Sequence, residues 1–425
     1  MITKTELLEL INHGENSYVE FKRDSVKSSS LGKEICAICN EEGGIILLGV
    51  EDDGQISGIT RTPKEIEEWI MNIARDRIQP AIRPRFMTLT VQDSKSVAII
   101  KFDSHSQYKP YRARTSNGWI TYVRTGSTSR EATREELIRL FQSAGLVTYE
   151  TNPVPNMGLE SLDMSRLSNY FEVILTRSIP EPEDTDQWQQ LLLNCDLLTE
   201  INGCIVATVA AMLLFGKNPN RRVPQAGITA VAFSGTDKDY NTIDEEQIRG
   251  PLVARYSDDF MILDKGVIDR SVDFVERNLE SFAWLDGARR VVKKSLPLDA
   301  VREAIINAVT HRDYTYEGTD IELAMYVDRV EIISPGKLPN GVTITKMKEG
   351  IVRATRNGLI KDILRDYRYV DNQGMGVRNK MIKLMFEHCG TEPDLLDEGH
   401  RFKVCFWKPH NPHRSTFFGS RDFVL

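Results

Sequence analysis

Residues 43–54 read Gly-Gly-Ile-Ile-Leu-Leu-Gly-Val-Glu-Asp-Asp-Gly, an apolar run that ends in a turn rich in carboxylates. Because the apolar residues do not alternate with polar ones, the run predicts a strand that is buried on both faces. A second strand is predicted upstream, where Val19 and Phe21 face inward while Glu20 and Lys22 share the opposite face. We therefore expect an N-terminal α+β domain in which carboxylates gather near the end of a buried strand.

Helix and strand signals continue downstream of this stretch. Capping boxes begin at Thr62 and Thr133, and each predicts the start of a helix. Between them, residues 86–91 and 97–102 predict two strands, and Asn117-Gly118 predicts the turn of a hairpin. A segment with two prolines follows at residues 151–156, so we place a domain boundary near residue 150.

The carboxylates of the first two strands suggest a metal site. If the strands are neighbours, Glu15, Glu20 and one acid of the 51–53 turn can bind one Mg²⁺ or Mn²⁺ ion through oxygen. Lys22 would then offset phosphate charge, as in a metal-dependent nuclease. The alternative is that the acidic turn is merely solvated and that Glu20 and Lys22 form a surface ion pair.

Residues 104–130 carry positive charge and aromatic rings but no acidic residue. The candidate nucleic-acid-binding residues of this segment are Lys109, Arg112, Arg114, Trp119, Tyr122, Arg124 and Arg130. Cations hold phosphates while rings stack on bases, so the segment predicts contact with RNA or DNA. The alternative is a hairpin whose charged edge only prevents pairing with other chains.

Composition limits the classes of protein that fit. The 425 residues exceed one ordinary domain, and 41% apolar with 27% charged residues is typical of a soluble globular protein. The net charge of −7 excludes whole-molecule attraction to phosphate or anionic membranes, so a nucleic-acid site must be a local patch. Neither a membrane-spanning stretch nor a signal peptide is evident, which predicts a cytoplasmic protein. Cys36 and Cys39 are interpreted as part of a buried helix face rather than as half of a zinc site.

Residues 12–142 resemble the Schlafen AlbA-like domain. The resemblance rests on Glu15, Val19-Glu20-Phe21-Lys22, Ala37-Ile-Cys-Asn40 before Gly43-Gly44, the segment 49–54 with Gly58, and Tyr122-Val-Arg-Thr-Gly-Ser127. In Schlafen nucleases an acidic cluster cuts RNA, and the resemblance places that cluster at Glu15, Glu20 and Asp52. Many relatives of this architecture are described as nucleic-acid-binding proteins or transcriptional regulators.

A second candidate site lies in the C-terminal third. Residues 301–309 predict an amphipathic helix on which Glu303 and Asn307 are four residues apart, and His311 continues the same face. An asparagine can hold Mg²⁺ through its amide oxygen while a glutamate orients water toward a γ-phosphate, which ATP hydrolysis requires. Gly374-Met-Gly376 can bring backbone amides and a helix N-terminus close to phosphate oxygens. The alternative is a solvated helix face followed by a glycine-rich turn.

Residues 288–408 resemble the divergent GHKL-type ATPase module found behind Schlafen AlbA-like domains. The resemblance rests on residues 302–313, residues 330–339, Arg356-Asn357 and Gly374-Met-Gly376. It implies an ATP site with Glu303 as the catalytic residue, Asn307 on the metal, and the cofactor-binding residues Asn307, His311, Asp313, Gly336, Gly374 and Gly376. Ser334 stands where better-known GHKL proteins place an aspartate that reads adenine. No Gly-x-x-x-x-Gly-Lys-Ser/Thr loop occurs in the sequence, so helicase activity is not expected.

The sequence therefore predicts an α+β multidomain protein. The expected parts are a Schlafen/AlbA-like domain at 1–145, a mainly helical middle domain at 151–287, an α/β-sandwich GHKL-like ATPase domain at 288–408 and a tail at 409–425. The predicted function is a metal-dependent nuclease regulated by ATP, with a role in bacterial defence or stress by analogy of architecture. The alternatives are a non-catalytic, ATP-responsive DNA-binding transcriptional regulator and an assembly scaffold, and a homo-oligomer is expected.

Overall fold

The computed structural model describes residues 2–91, 95–104, 108–146, 148–286, 289–339, 342–352, 355–370 and 375–409, with the backbone alone for 282–286 and 289–291. The chain folds as two compact units, residues 1–147 and residues 148–425. The division between them falls close to the boundary predicted near residue 150. Apart from Pro409, the predicted tail lies outside the described residues.

The N-terminal unit mixes helices with short strands. Its helices are α1 (Lys4–His13), α2 (Ser28–Asn40), α3 (Pro63–Asp76) and α4 (Arg134–Ser143). Its strands are β1 (Val19–Lys22), β2 (Gly43–Leu48), β3 (Ile78–Gln79), β4 (Arg85–Thr90), β5 (Ser96–Asp103), β6 (Arg112–Thr115), β7 (Gly118–Ile120), β8 (Tyr122–Thr125) and β9 (Thr128–Glu131). Both predicted capping boxes are formed, at the starts of α3 and α4.

The main sheet of this unit has the strand order β1-β2-β5-β4. β1 lies parallel to β2, so the expectation that the first two strands are neighbours is confirmed. All six residues of β2 are buried. Ile46 packs in a core with α2 and α3 on one face of the sheet, and Ile45 packs in a core with α1 on the other. Burial on both faces explains why this strand is apolar without alternation.

Two smaller sheets, β3-β6-β7 and β8-β9, complete the strands of the unit. The predicted hairpin is present, but its turn begins one residue earlier than expected. Thr115 pairs with Gly118, so Ser116 and Asn117 form the two-residue loop. Gly118 has a φ of +110°, a backbone conformation that a residue with a side chain rarely adopts.

Asn40, the last residue of α2, joins the helix to the two smaller sheets. Its side-chain amide donates to the carbonyls of Tyr111 (2.9 Å) and Tyr122 (2.8 Å) and accepts from the N–H of Tyr111 (2.7 Å). Cys36 and Cys39 are buried in the same helix, and burial raises the pKa of the Cys36 thiol to about 12. The two cysteines therefore belong to a packed helix face, as predicted.

The C-terminal unit is larger and also mixed. Its helices are α5 (Met164–Asn169), α6 (Thr185–Asn194), α7 (Val209–Phe215), α8 (Val267–Asn278), α9 (Leu298–His311), α10 (Ile344–Glu349), α11 (Gly358–Asp366) and α12 (Lys383–Cys389), with π-helical turns at Tyr170–Ile174 and Val377–Ile382 and 3₁₀ turns at Tyr149–Thr151, Leu159–Ser161 and Pro219–Arg221. Its strands are β10 (Leu198–Ile201), β11 (Cys204–Ala207), β12 (Ile228–Phe233), β13 (Thr242–Ile248), β14 (Arg255–Tyr256), β15 (Ile262–Asp264), β16 (Ser281–Asp286), β17 (Arg289–Lys294), β18 (Ile321–Met325), β19 (Arg329–Pro335), β20 (Asp394–Asp397) and β21 (Arg401–Trp407).

One six-stranded sheet, ordered β13-β12-β18-β19-β21-β20, runs through this unit. β12 lies parallel to β18, although the two strands come from opposite sides of the boundary predicted at residue 287. The expected division into residues 151–287 and 288–408 is therefore wrong, because the hydrogen bonds of one sheet cross it. The middle segment is also not mainly helical, since it supplies β10 to β15 as well as helices.

Helix α9 positions the candidate nucleotide residues. It packs against β19, and the Ser334 hydroxyl of that strand donates to the carbonyl of Ala308 (3.0 Å). Its apolar side chains join the core of the unit. Within the described part of the chain, the helices are too short or too polar to cross a lipid bilayer.

Replacing Asn40 by leucine should destabilise the N-terminal unit by roughly 2–4 kcal/mol, because three buried hydrogen bonds to the backbone are lost. Hydrogen exchange in the full chain, followed at the peptide that contains Tyr111, measures the effect. Asn72→Ala, at an exposed position of α3, is the control and should leave exchange unchanged. Equal exchange in both variants would contradict the assigned role of Asn40.

Candidate functional site

The outer face of β1 carries a buried carboxylate held by two cations. Glu20 is 3% exposed, and its side chain forms ion pairs with Lys22 and with Arg124 of β8. Arg124 also donates to the carbonyl of Asn16 (2.7 Å), and its side chain has no exposed surface. An ion pair this deeply buried costs desolvation energy that only complete pairing offsets. The alternative of a surface ion pair between Glu20 and Lys22 therefore does not describe Glu20, which is buried and also pairs with Arg124.

Three more carboxylates surround this pair. Glu15 accepts the N–H of Phe21 (2.8 Å), and its pKa is raised by burial and by the nearby negative charges of Glu20 and Asp52. Glu34 of α2 lies 3.5 Å from the Arg124 guanidinium and accepts from Ser129, and its pKa is raised mainly by burial. The structure thus brings Glu15, Glu20, Lys22 and Asp52 into one neighbourhood, as the sequence predicted, and adds Glu34.

A divalent cation does not fit this arrangement. Within the described residues, no group of three or more His, Cys, Asp or Glu side chains has the geometry to hold a metal ion. The physical reason is that Glu20 directs its carboxylate oxygens at Lys22 and Arg124, which occupy the positions that a cation would take. The expected coordination by Glu15, Glu20 and Asp52 is therefore not assembled, and we derive no metal-dependent step at this cluster.

The candidate nucleic-acid residues separate into buried and exposed groups. Arg124 is buried in the carboxylate cluster, Tyr122 is buried, and the Lys109 ammonium donates to the carbonyl of Glu41 inside the fold. Arg130 pairs with Glu136 (2.7 Å). Three of these four residues are buried against protein, since β8 packs over α2, whereas Arg130 is exposed in a surface ion pair. Their contact with nucleic acid stays a prediction.

The remaining three candidates share an exposed face of the β6–β7 hairpin. Arg112 and Arg114 are exposed on β6, and Trp119 of β7 pairs opposite Arg114 and is 40% exposed. Arg112 and Trp119 line a groove of about 620 Å³ together with Tyr108 and Phe141, both of which are partly exposed. Cations and rings are therefore available at this face, which we call the hairpin face.

In the C-terminal unit, a cavity of about 130 Å³ follows helix α9. Glu303, Asn307 and His311 all line it, because residues four apart lie on one face of a helix. Strands β19 and β21 contribute apolar side chains to its wall, among them Ile332 and Phe402. The alternative of a solvated helix face does not hold for Glu303, which is only 6% exposed, while Asn307 and His311 are partly buried.

Glu303 and Gly376 are in close contact. One carboxylate oxygen of Glu303 accepts from the Asn307 amide (3.2 Å), and the other lies 3.5 Å from the Lys380 ammonium. A Cβ atom at position 376 would stand 1.8 Å from the Glu303 carboxylate, so a side chain there would force Glu303 to move. The structure brings Gly376 to the cavity, as predicted, whereas Gly374 lies outside the described residues.

The far end of the cavity is bounded by His311 and Lys361. The Nδ1 atom of His311 is buried and has no hydrogen-bond partner among the described residues. Its pKa is lowered to about 4 by burial and by the positive charges of Arg356 and Lys361. Arg356 donates to the carbonyls of His311 (2.8 Å) and Lys337 (2.7 Å), so it supports the cavity from behind.

Gly336 lines the cavity but Asp313 does not. The Asp313 carboxylate instead accepts from the N–H (3.1 Å) and hydroxyl (2.6 Å) of Thr315. A Cβ atom at Gly336 would lie 2.5 Å from the Cβ of Asp313, so Asp313 is packed directly behind this glycine. The Asp313 side chain closes a turn in this structure, and its role in binding the cofactor stays a prediction.

The sequence reasoning missed three residues of these sites. Glu34 lies on a helix with no motif of its own. Lys380 carried a weak signal, since it follows Gly376 by four residues and so shares its helical face. Arg356 was part of a recognised motif but had no assigned role. Each reaches its site only through tertiary packing.

Comparisons with known proteins agree with this arrangement. Residues 15–133 match the family model described as "Schlafen, AlbA_2", and residues 318–406 match the one described as "Putative ATP-dependent DNA helicase recG C-terminal". The chain thus carries an N-terminal Schlafen AlbA_2 domain and a C-terminal ATPase-like domain of the RecG type.

Two solved structures are also similar. The DIP2311 protein from Corynebacterium diphtheriae is 19% identical, with 92% of this chain and 75% of that chain covered and a TM-score of 0.42. The N-terminal domain of a "Putative ATP-dependent DNA Helicase RecG-related Protein" from Nitrosomonas europaea is 24% identical. That match covers 31% of this chain and 95% of that chain, with a TM-score of 0.25.

Burial of His311 should make the stability of the C-terminal unit depend on pH. Because the folded pKa of about 4 lies below the ordinary value of 6.5, the neutral ring is favoured by the fold. Stability is therefore complete above pH 6.5 and declines as pH falls toward 4, by at most about 3 kcal/mol. Urea titrations at several pH values should show this loss in the wild type and a weaker one in His311→Gln. Parallel profiles for the two proteins would contradict it.

Proposed function

We propose that this protein binds ATP in the cavity along α9, hydrolyses it with Glu303, and binds nucleic acid at the hairpin face. The observation that carries the proposal is the meeting of Glu303, Asn307 and Gly376 in one cavity. The two family matches support the general class, a nucleic-acid-related ATPase.

The residues of the cavity fit a nucleotide with its metal ion. Asn307 donates its amide nitrogen to Glu303, which leaves the amide oxygen as the ligand that would hold Mg²⁺. Mg²⁺ supplies charge neutralisation of the phosphates when it is bound. Gly376 lets the backbone approach without a side chain in the way, and Ile332 and Phe402 offer apolar surface to a base.

Glu303 is the group that can act on water. In hydrolysis, the water oxygen bonds to the terminal phosphorus as Glu303 takes one water proton, and the bond from that phosphorus to the bridging oxygen of ADP breaks. The proton then leaves Glu303 for solvent, and ADP and inorganic phosphate are the products. Holding the carboxylate between Asn307 and Lys380 keeps it in place for this proton transfer.

For the N-terminal unit, the geometry favours binding over cleavage. The exposed Arg112 and Arg114 can neutralise phosphates, and Tyr108 and Trp119 can stack on unpaired bases. Glu20, in contrast, is already neutralised by buried cations. The regulator considered from the sequence therefore fits this unit better than the metal-dependent nuclease.

For the nucleotide site, Asn307→Ala should abolish Mg²⁺-dependent ATP binding in calorimetry, because the metal loses its protein ligand. Glu303→Gln should bind ATP almost as tightly as the wild type and release no phosphate, because the amide cannot take a proton. Asn194→Ala, at an exposed position of α6, is the matched control and should behave as the wild type. Normal ATP affinity in Asn307→Ala would refute the site.

For the nucleic-acid surface, the double variant Arg112→Ala, Arg114→Ala should bind RNA and DNA more weakly. The slope of log affinity against log salt should fall by roughly 1.5–2, since two phosphate contacts are lost. Arg130→Ala is the matched control, because Arg130 is engaged by Glu136 and should leave the slope nearly unchanged. Equal slopes for all three proteins would exclude the hairpin face as the contact surface.

The same samples test cleavage. Incubation of the wild type with RNA, single-stranded DNA and duplex DNA, with Mg²⁺ or Mn²⁺, should leave all three substrates intact. Degradation that is lost in both Glu20→Gln and Asp52→Asn would overturn the binding role and establish the metal-dependent nuclease instead.

A further inference from the structure

Among the described residues, Glu303 is the acidic residue that lines the nucleotide cavity, and its cationic neighbour Lys380 was not part of the predicted motif. The Lys380 ammonium lies 3.5 Å from one Glu303 oxygen, while the Asn307 amide donates to the other at 3.2 Å. The Glu303 side chain is 8% exposed and the Lys380 side chain is 36% exposed. A buried carboxylate is thus paired with a cation that remains in contact with water.

A π-helical turn brings Lys380 to this position. The turn spans Val377–Ile382 and begins directly after Gly376. The backbone of Gly376 lies next to the Glu303 carboxylate. The absence of a side chain at 376 allows the turn to pack closely on α9. π-helical turns are rare and are frequently found at functional sites.

Lys380 and Glu303 also line a second cavity, of about 350 Å³. Asp299, Arg302 and Tyr369 contribute polar groups to its wall. Glu303 therefore lines both cavities, and Lys380 reaches it from the second one.

We infer that Lys380 is a positioning residue for ATP hydrolysis, which holds the Glu303 carboxylate in the orientation from which it can accept a proton from water. The inference rests on the proposed function, because it assigns a role within the same site. Without Lys380, the carboxylate loses one of the two side chains that hold it, and it can turn away from the water it acts on. The Lys380 ammonium has no lone pair to offer a metal ion, so we expect binding of Mg²⁺-ATP not to depend on it.

The test separates binding from turnover. Lys380→Ala should lower kcat for ATP hydrolysis by about tenfold or more, while the dissociation constant for Mg²⁺-ATP changes by less than about twofold. Lys380→Arg should restore most of kcat, since it returns a cation to Glu303. Lys383→Ala is the matched control, because this lysine is exposed on the next turn and, among the described residues, pairs with Glu387 of its own helix. It should leave both constants unchanged.

A double-mutant cycle on urea unfolding examines the pair without nucleotide. The stability lost in Lys380→Ala combined with Glu303→Gln should be smaller than the sum of the losses in the two single variants, because each removes the same contact. Strict additivity would overturn the inference. So would a wild-type kcat in Lys380→Ala, and so would a loss of affinity that accounts for the whole loss of activity. A wild type that binds no ATP would overturn the proposed function together with this role.

Discussion

A carboxylate taken out of water must be paired, and this constraint determines the arrangement of both units. Glu20, Glu150 and Glu303 are all nearly inaccessible to solvent. Glu20 is paired with two cations, and Glu150 accepts from backbone N–H groups. Glu303 is held by the Asn307 amide and by Lys380. Because an unpaired buried charge costs several kcal/mol, the elements that supply these partners are bound to their positions.

In the N-terminal unit, pairing of Glu20 draws Arg124 into the interior. The guanidinium spans from Glu20 to Glu34 and to the carbonyl of Asn16, so it links β1, α2 and β8. The same residue, read in the sequence, is one of several cations in a basic segment. Because Arg124 is buried, a basic residue in this segment of the sequence need not lie on the protein surface. Arg112 and Arg114 are the cations of the hairpin face.

In the C-terminal unit, backbone pairing supports the nucleotide cavity. Glu150 accepts the N–H groups of Leu359 and Ile360 (both 2.9 Å) at the start of α11, which also carries Lys361 into the cavity. Asn357, just before this helix, donates to the carbonyls of Thr310 and Arg312 (both 2.9 Å) at the end of α9. The two helices that bound the cavity are therefore fastened to one another by buried hydrogen bonds.

The sequence by itself determined the local elements and the spacing of candidate groups. The apolar run of β2, the capping boxes at Thr62 and Thr133, and the four-residue spacing of Glu303, Asn307 and His311 each follow from short-range periodicity. Such periodicity states which residues share a face, and it placed Glu303 and Asn307 side by side as the structure does.

Only the tertiary structure decided which faces are buried and which groups meet. The pairing of β12 with β18 unites segments about ninety residues apart, and no local pattern encodes a sheet partner at that distance. The same holds for Lys380 with Glu303, for Arg124 with Glu20, and for Asp313, whose carboxylate turns to Thr315. These outcomes depend on desolvation and on packing across elements, which are properties of the folded chain rather than of any segment.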